Sequence, residues 1–203
     1  MIKRMIWDLD NTLAIRDLNA ENAFLTQHCD SEEIDRLFSL LSSYEQFHQQ
    51  FNVPSFSKYC TEVTGINYGE DFFYQWFSVH LEYPGYVVDG AEDTLAFMQN
   101  RGISNVVCTN DITDFQRERL KRLGLLSYID EVYGGDIMLK PNVESYRAAM
   151  GDFSASECGM VGDSLLNDVC MPRSLGIHAF HFAPSSTCPY SIKKLVKVKE
   201  LVL

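Results

Sequence analysis

A chain of 203 residues, 46% of them hydrophobic, is long enough for one sizeable core, or for one core carrying a smaller inserted unit. Acidic residues number 28 and basic residues 17, for a net charge of −11, and no basic block is long enough to track a nucleic-acid backbone. Nucleic acid is therefore not an expected partner, and no apolar stretch approaches the ~20 residues of a membrane span.

In chain order, the first informative segment is Ile6-Trp7-Asp8-Leu9-Asp10-Asn11-Thr12-Leu13. It reads as a short buried strand ending in two aspartates, and ligands of open α/β sheets sit just outside strand carboxyl ends. Alternate side chains share a face in an extended chain, so Asp8 and Asp10 point toward one small site. Two close carboxylates invite a cation, or a division of labour into nucleophile and acid.

From about residue 15 to 86 the periodicity is helical. Ile34, Leu37, Phe38 and Leu41 form one stripe and Phe56, Tyr59, Cys60 and Val63 another, at the i, i+3, i+4, i+7 spacing of amphipathic helices. Phe72, Phe73, Trp76, Phe77 and His80 trace a third, and Ala20, Ala23, Phe24 and Gln27 a shorter one. Asp30 or Ser31 can cap the first stripe, while Pro54-Ser55 and Gly65 bracket the second. The spacing predicts a four-helix cap over residues 15–86 inserted into an α/β core of residues 1–14 and 87–203.

After Gly90 the pattern alternates: a helix near Ala91–Asn100, a strand reaching Thr109, a helix near Thr113–Leu123 and a strand near Glu131–Tyr133. A helix after Pro141, a strand into Gly162, a helix near Leu165–Leu175 and a strand over Ile177–Phe182 follow. Such alternation implies a doubly wound parallel sheet with right-handed crossovers. Three more strand or helix boundaries bear polar groups. Thr109-Asn110 offers a hydroxyl and loop N–H groups suited to phosphate oxygens. Lys140 precedes Pro141, placed in the first turn of a helix through Met150, and a cation beside free helix N–H groups makes an anion site. Gly162-Asp163-Ser164, with Asp168 beyond, opens another helix with hard oxygen ligands of the kind that suit Mg²⁺.

In this order the four segments resemble the haloacid dehalogenase superfamily, whose members are mostly phosphatases. Asp8-Leu9-Asp10-Asn11-Thr12 matches its D-x-D-x-T motif, Thr109 the second motif, Lys140 the third, and Gly162-Asp163 with Asp168 the fourth. Asn11 stands where glycine is most frequent. Asp10 stands where the dehalogenating branch resembles a tyrosine, which turns the expectation away from carbon–halogen cleavage. The resemblance implies a Mg²⁺-dependent phosphomonoesterase of a small phosphorylated metabolite. By it, Asp8 attacks phosphorus and Asp10 donates a proton to the leaving alkoxide, later taking one from water. Asp8, Asp163, the backbone carbonyl of Asp10, and Asp168 directly or through water hold the metal. Thr109, the Asn110 N–H and Lys140 hold the phosphate oxygens. Two alternatives share these motifs: a phosphomutase, and a non-catalytic phosphate-binding or interaction module.

Within the cap, Arg16, Tyr44, Tyr68 and Trp76 are the candidates for contact with the leaving group, because an arginine or a ring can hold a charged or planar group. His178 and His181 lie three apart in a strand and face opposite sides, so no shared metal site is expected. Lys193, Lys194, Lys197 and Lys199 read as a solvated helix face. The six cysteines show no C-x-x-C spacing, and the basic pair Lys3-Arg4 precedes too short an apolar run for a secretion signal. Reduced thiols and a cytoplasmic location are the expectation. Monomer and dimer both stay open.

Overall fold

The computed structural model describes residues 1–202. The chain runs β1 (Arg4–Trp7), β2 (Ala14–Ile15), α1 (Leu18–Thr26), α2 (Ser31–Phe47), α3 (Val53–Thr64), α4 (Glu70–Glu82) and β3 (Tyr86–Val87). There follow α5 (Ala91–Asn100), β4 (Ser104–Cys108), α6 (Thr113–Arg122), β5 (Glu131–Tyr133), α7 (Val143–Met150), β6 (Cys158–Gly162), α8 (Met171–Ser174), β7 (His178–His181) and α9 (Val198–Leu201). Five strands form one parallel sheet in the order β5-β4-β1-β6-β7, the doubly wound arrangement that the alternation predicts.

Strands buried on both faces need nearly continuous apolar runs. Val106-Val107-Cys108 of β4 and Met160-Val161 of β6 supply them on either side of β1. The pleat then sorts β1 between two layers. Met5 and Trp7 pack with Leu95 and Met98 of α5 and Leu120 of α6. Ile6 packs on the other face with Tyr146 and Ala149 of α7. The one amide within this apolar sheet is satisfied: Asn105 accepts from the Trp7 indole N–H at 3.0 Å and donates to the Leu95 carbonyl at 3.0 Å.

Register fixes where the polar groups emerge. Trp7 lies level with Val107 and Val161, so Asp8 leaves the sheet beside Cys108 and Gly162. Thr109 and Asp163 follow one residue later, which places three of the sequence segments at one edge.

Four helices occupy the chain between β2 and β3, two strands that pair antiparallel. An Asp30–Glu33 capping box starts α2, Asn52 caps α3, and Gly65, at φ 75°, ends α3 in the left-handed conformation that a side chain disfavours. Their buried side chains, among them Leu37, Tyr44, Phe56, Phe73, Trp76 and Phe77, form one cluster. Two of the ties between this insert and the sheet run through the backbone. At the strand pair, a Cβ on Gly85 would fall 1.8 Å from the Ile15 carbonyl oxygen, so only glycine fits. At the α2–α3 loop, Phe51 N–H donates to the Gly135 carbonyl and Leu139 N–H to the Gln49 carbonyl, each at 2.8 Å.

Two local expectations are corrected. Pro141 does not lie in the first turn of α7: the Lys140–Pro141 peptide is cis, and Asn142 is the N-cap, its side chain accepting from Glu144 N–H at 3.1 Å. The run near 165–175 is not one regular helix but a π-helix over Leu165–Cys170 followed by α8. Ser164 caps it by accepting from Asn167 N–H, and the Tyr146 hydroxyl donates to the Asn167 carbonyl at 2.6 Å. Ile15 pairs with Tyr86 in the β2–β3 ladder, where the chain enters and leaves the insert.

Candidate active site

Asp8, at the end of β1, accepts from the Lys140 ammonium at 2.7 Å through one carboxylate oxygen and from the Thr12 hydroxyl at 3.1 Å through the other. The Lys140 ammonium also donates to Asp168 at 2.8 Å. Asp168 is buried and its second oxygen accepts from Ser164 N–H at 3.0 Å. Gly162 makes room for it, since a Cβ there would lie 2.3 Å from the Asp168 carboxyl. With Asp163, Asp8 and Asp168 offer carboxylate oxygens within 4.8 Å of one another.

These charges perturb one another. Burial pushes the Asp8 carboxyl up to about 7; Lys140 opposes the rise and the Asp168 carboxylate adds to it. Burial also raises Asp163, with Asp168 adding to the effect. Lys140 is buried too, yet its two carboxylate partners hold its proton affinity well above the usual lysine range. Its backbone is fixed by Asn110, whose side chain accepts from Lys140 N–H at 2.7 Å and donates to the Lys140 carbonyl at 3.3 Å. Thr109 is buried at the same edge.

Asp10 has a different environment. Its carboxylate accepts from Arg16 at 2.8 Å and from Arg119 at 2.6 Å. Burial alone would raise Asp10, but the two guanidinium groups hold it far below the usual carboxylate range. Arg119 is fully buried and also donates to the Pro84 carbonyl at 2.9 Å. Arg16 faces Asp111 as well, at 3.5 Å, and the Asp111 carboxylate takes a hydrogen bond from Gln116.

One cavity of about 180 Å³ is lined by Asp8, Asp10, Thr109, Asn110, Lys140, Asp163 and Asp168. It thus brings together every core residue that the sequence singles out. Arg16 lines it as well. Tyr44, Tyr68 and Trp76 do not. Tyr44 stacks on His48 with ring centroids 3.8 Å apart, Tyr68 stacks on Phe72, and the Trp76 indole N–H is taken by buried Glu21 at 2.8 Å. These rings build the interior of the insert.

Sequence reasoning missed Arg119, Asp111 and Glu45, the last of which joins the cavity wall from α2. A signal for Arg119 exists: Gln116, Arg119 and Leu120 occupy the inner face of α6, at i, i+3, i+4 spacing. His178 and His181 make no shared site: His178 faces the Ser156 carbonyl, and His181 the Asp163 carbonyl and Ser191.

The sequence profile of the family described as haloacid dehalogenase-like hydrolase matches residues 2–176. A ribulose-1,5-bisphosphate 5-phosphatase of Halopiger xanaduensis is 33% identical over 54% of this chain and 47% of its own length; the chain thus spans about half of that relative. A pyrimidine 5'-nucleotidase, PynA, of Streptococcus pneumoniae is 27% identical over 90% of this chain and 84% of its own. Among solved structures, the magnesium-bound HAD-hydrolase YfnB of Bacillus subtilis superposes with a TM-score of 0.71 at 18% identity, over 99% of this chain and 98% of that one. At that identity the likeness is one of fold.

Proposed function

The chain belongs to the haloacid dehalogenase-like hydrolase family, and from that premise we propose that it is a Mg²⁺-dependent phosphomonoesterase of small phosphorylated metabolites that works through an aspartyl-phosphate. The observation that carries this is the convergence of Asp8, Asp163 and Asp168 around Lys140 in a single small cavity.

The residues fit the metal. Three carboxylates offer only hard oxygens, and the proton affinities of Asp8 and Asp163 are raised by burial and mutual repulsion. That repulsion is what a cation relieves. Asp8 and Asp163, with Asp168 directly or through water, would hold it together with the Asp10 backbone carbonyl. Bound there, it supplies positive charge against the phosphate oxygens.

The remaining roles belong to the chain. A carboxylate is a weak nucleophile, so it must be held in line with phosphorus while the equatorial oxygens are neutralised. Thr12 and Lys140 hold Asp8 from two sides, and Thr109, Asn110 and Lys140 surround the phosphoryl group. As the Asp8 oxygen bonds to phosphorus, the ester P–O bond breaks and the leaving oxygen takes a proton from Asp10. Water then attacks phosphorus, Asp10 receives its proton, and inorganic phosphate leaves with Asp8 restored. Asp10 serves as the acid only when an arginine lets go. Of the two, Arg16 is the more exposed, with 28% of its side chain accessible against 0% for Arg119.

The relatives act on a sugar bisphosphate and on pyrimidine nucleotides by name, so the substrate proposed here is a phosphorylated small metabolite. Its test is phosphate release from a metabolite panel with Mg²⁺. Free phosphate from at least one member, lost on chelation, supports the reading. An isomerised phosphate without release points to a phosphomutase, and no turnover on any member to a binding module.

A further inference from the structure

The polar face of α2 meets the catalytic cavity at a residue that the phosphoryl chemistry does not use. Glu45 lines the same 180 Å³ cavity as Asp8, Asp10 and Lys140. It also lines a neighbouring cleft of about 240 Å³ with Ser42, Gln46, Pro141, Leu166 and Asn167. The two spaces share Glu45, Asn110, Lys140 and Asn167. The two spaces therefore adjoin at these four residues, and a leaving group longer than the cavity would extend along this path.

Ser42, Glu45 and Gln46 stand at i, i+3 and i+4 and so lie on one side of the helix, opposite the buried Leu37, Leu40 and Tyr44. Across the path, Pro141 and Leu166 provide apolar surface, and Leu166 is 57% exposed. Glu45 accepts a single long hydrogen bond, from the Asn110 amide at 3.3 Å. A carboxylate has about four acceptor positions, so most of its capacity faces the path. Arg16, the other charged side chain that the insert sends into the cavity, is matched by Asp10 at 2.8 Å and Asp111 at 3.5 Å. With Arg16 so paired, Glu45 is the charged side chain of the insert left facing the path.

Resting on the phosphomonoesterase reading, we propose that Glu45 is the specificity-determining residue of the insert: it accepts hydrogen bonds from the hydroxyls of an uncharged polyol or sugar leaving group and rejects one that carries a second anion. Ser42 and Gln46 extend the polar side of the path, and Pro141 and Leu166 pack against the carbon skeleton. A site built to accept from hydroxyls discriminates through the group left unpaired when they are missing, and rejection follows from like charge at short range.

The experiment compares kcat/KM for a hexitol monophosphate, a hexose bisphosphate and p-nitrophenyl phosphate in the parent, Glu45→Gln, Glu45→Ala and Glu45→Lys, with melting temperatures to verify folding. The parent should prefer the hexitol monophosphate to the bisphosphate by about tenfold or more, and Glu45→Ala should lower its use of the hexitol ester about 10- to 100-fold more than its use of p-nitrophenyl phosphate. Glu45→Gln, which keeps an acceptor but loses the charge, should fall between, and it carries the test if the alanine variant does not fold. Glu45→Lys should narrow or invert the preference. Equal losses on the hexitol and nitrophenyl esters, or a parent that prefers the bisphosphate, would overturn the assignment while leaving the phosphomonoesterase reading intact. A parent that cleaves none of the three esters would overturn the assignment, and the phosphomonoesterase reading falls with it only if no member of the metabolite panel releases phosphate.

Discussion

The sheet edge and the helical insert bury polar groups in opposite ways. At the edge, Asp8, Lys140 and Asp168 are buried with unequal charges held in mutual contact, a state that a cation and a phosphate can complete. In the insert, buried Glu21 accepts from the Trp76 indole N–H at 2.8 Å and lies 4.0 Å from the His80 ring, whose Nδ1 is buried without a partner among the described residues. The first arrangement faces a cavity that a ligand can enter, and the second lies inside the helical cluster. Between them stands the Arg16–Asp10–Arg119 group, which joins the start of the insert to β1 and α6.

If the edge is incomplete without a cation, the largest effect comes from removing a carboxylate there. Asp163→Ala should abolish Mg²⁺-dependent turnover. It should also abolish the rise in melting temperature that Mg²⁺ gives the parent, because a ligand that binds only the folded state stabilises it by about 2.7 kcal/mol at a hundredfold excess over its Kd. Thermal melts with and without the ion check this. A variant stabilised as much as its parent places the metal elsewhere.

The joint between the two regions is the next target. Arg119→Met should lower stability by about 3 kcal/mol, the low end for breaking a buried ion pair, because Arg16 still faces Asp10. Denaturant unfolding reads this directly. A loss no larger than that of a surface variant such as Lys121→Met would show that Arg119 does not anchor the joint.

Above about pH 5.5 the insert gives the smallest effect, through pH. Burial drives His80 down from its ordinary 6.5 to about 3, and Arg16 and Arg119 push the same way. Between those values the unfolded chain binds the proton and the fold does not. The contribution of His80 is therefore fully present above about pH 6.5 and is lost toward pH 3, at up to about 1.4 kcal/mol per pH unit. Carboxylates titrate in the same window, so the readout is the difference between parent and His80→Gln. The variant should lose less stability on acidification. Parallel curves would mean that His80 takes up its proton without cost.

The same contrast explains what the sequence made legible. Asp8, Thr109 and Asp163 were visible because strand register aligns residues that each directly follow an apolar run, and the run is itself a local pattern. Glu45 and Arg119 were not. Each reaches the cavity from a helix whose placement depends on contacts distant in sequence: Arg119 meets Asp10 across 109 positions, and Asn110 meets Glu45 across 65. The aromatic stripe misled for a related reason. At helical spacing a ring that packs the interior and a ring that faces a ligand look alike, and only the packing of Tyr44 on His48 and of Trp76 on Glu21 separates them. Pro141 was misplaced because proline before a helix fits both the first turn and the residue ahead of the cap. The Asn142 side chain, bonded to Glu144 N–H, decides for the second.

The central claim is that Asp8 carries the phosphoryl group, and the direct measurement is acid quenching of a turnover mixture with a phosphate-labelled substrate, followed by peptide mapping of the label. The account predicts a hydroxylamine-labile acyl phosphate on Asp8, absent from Asp8→Asn, whose turnover falls by about 10,000-fold or more, as removal of a nucleophile does. Label on another residue, or an Asp8→Asn variant that still turns over at the parental rate, would contradict it.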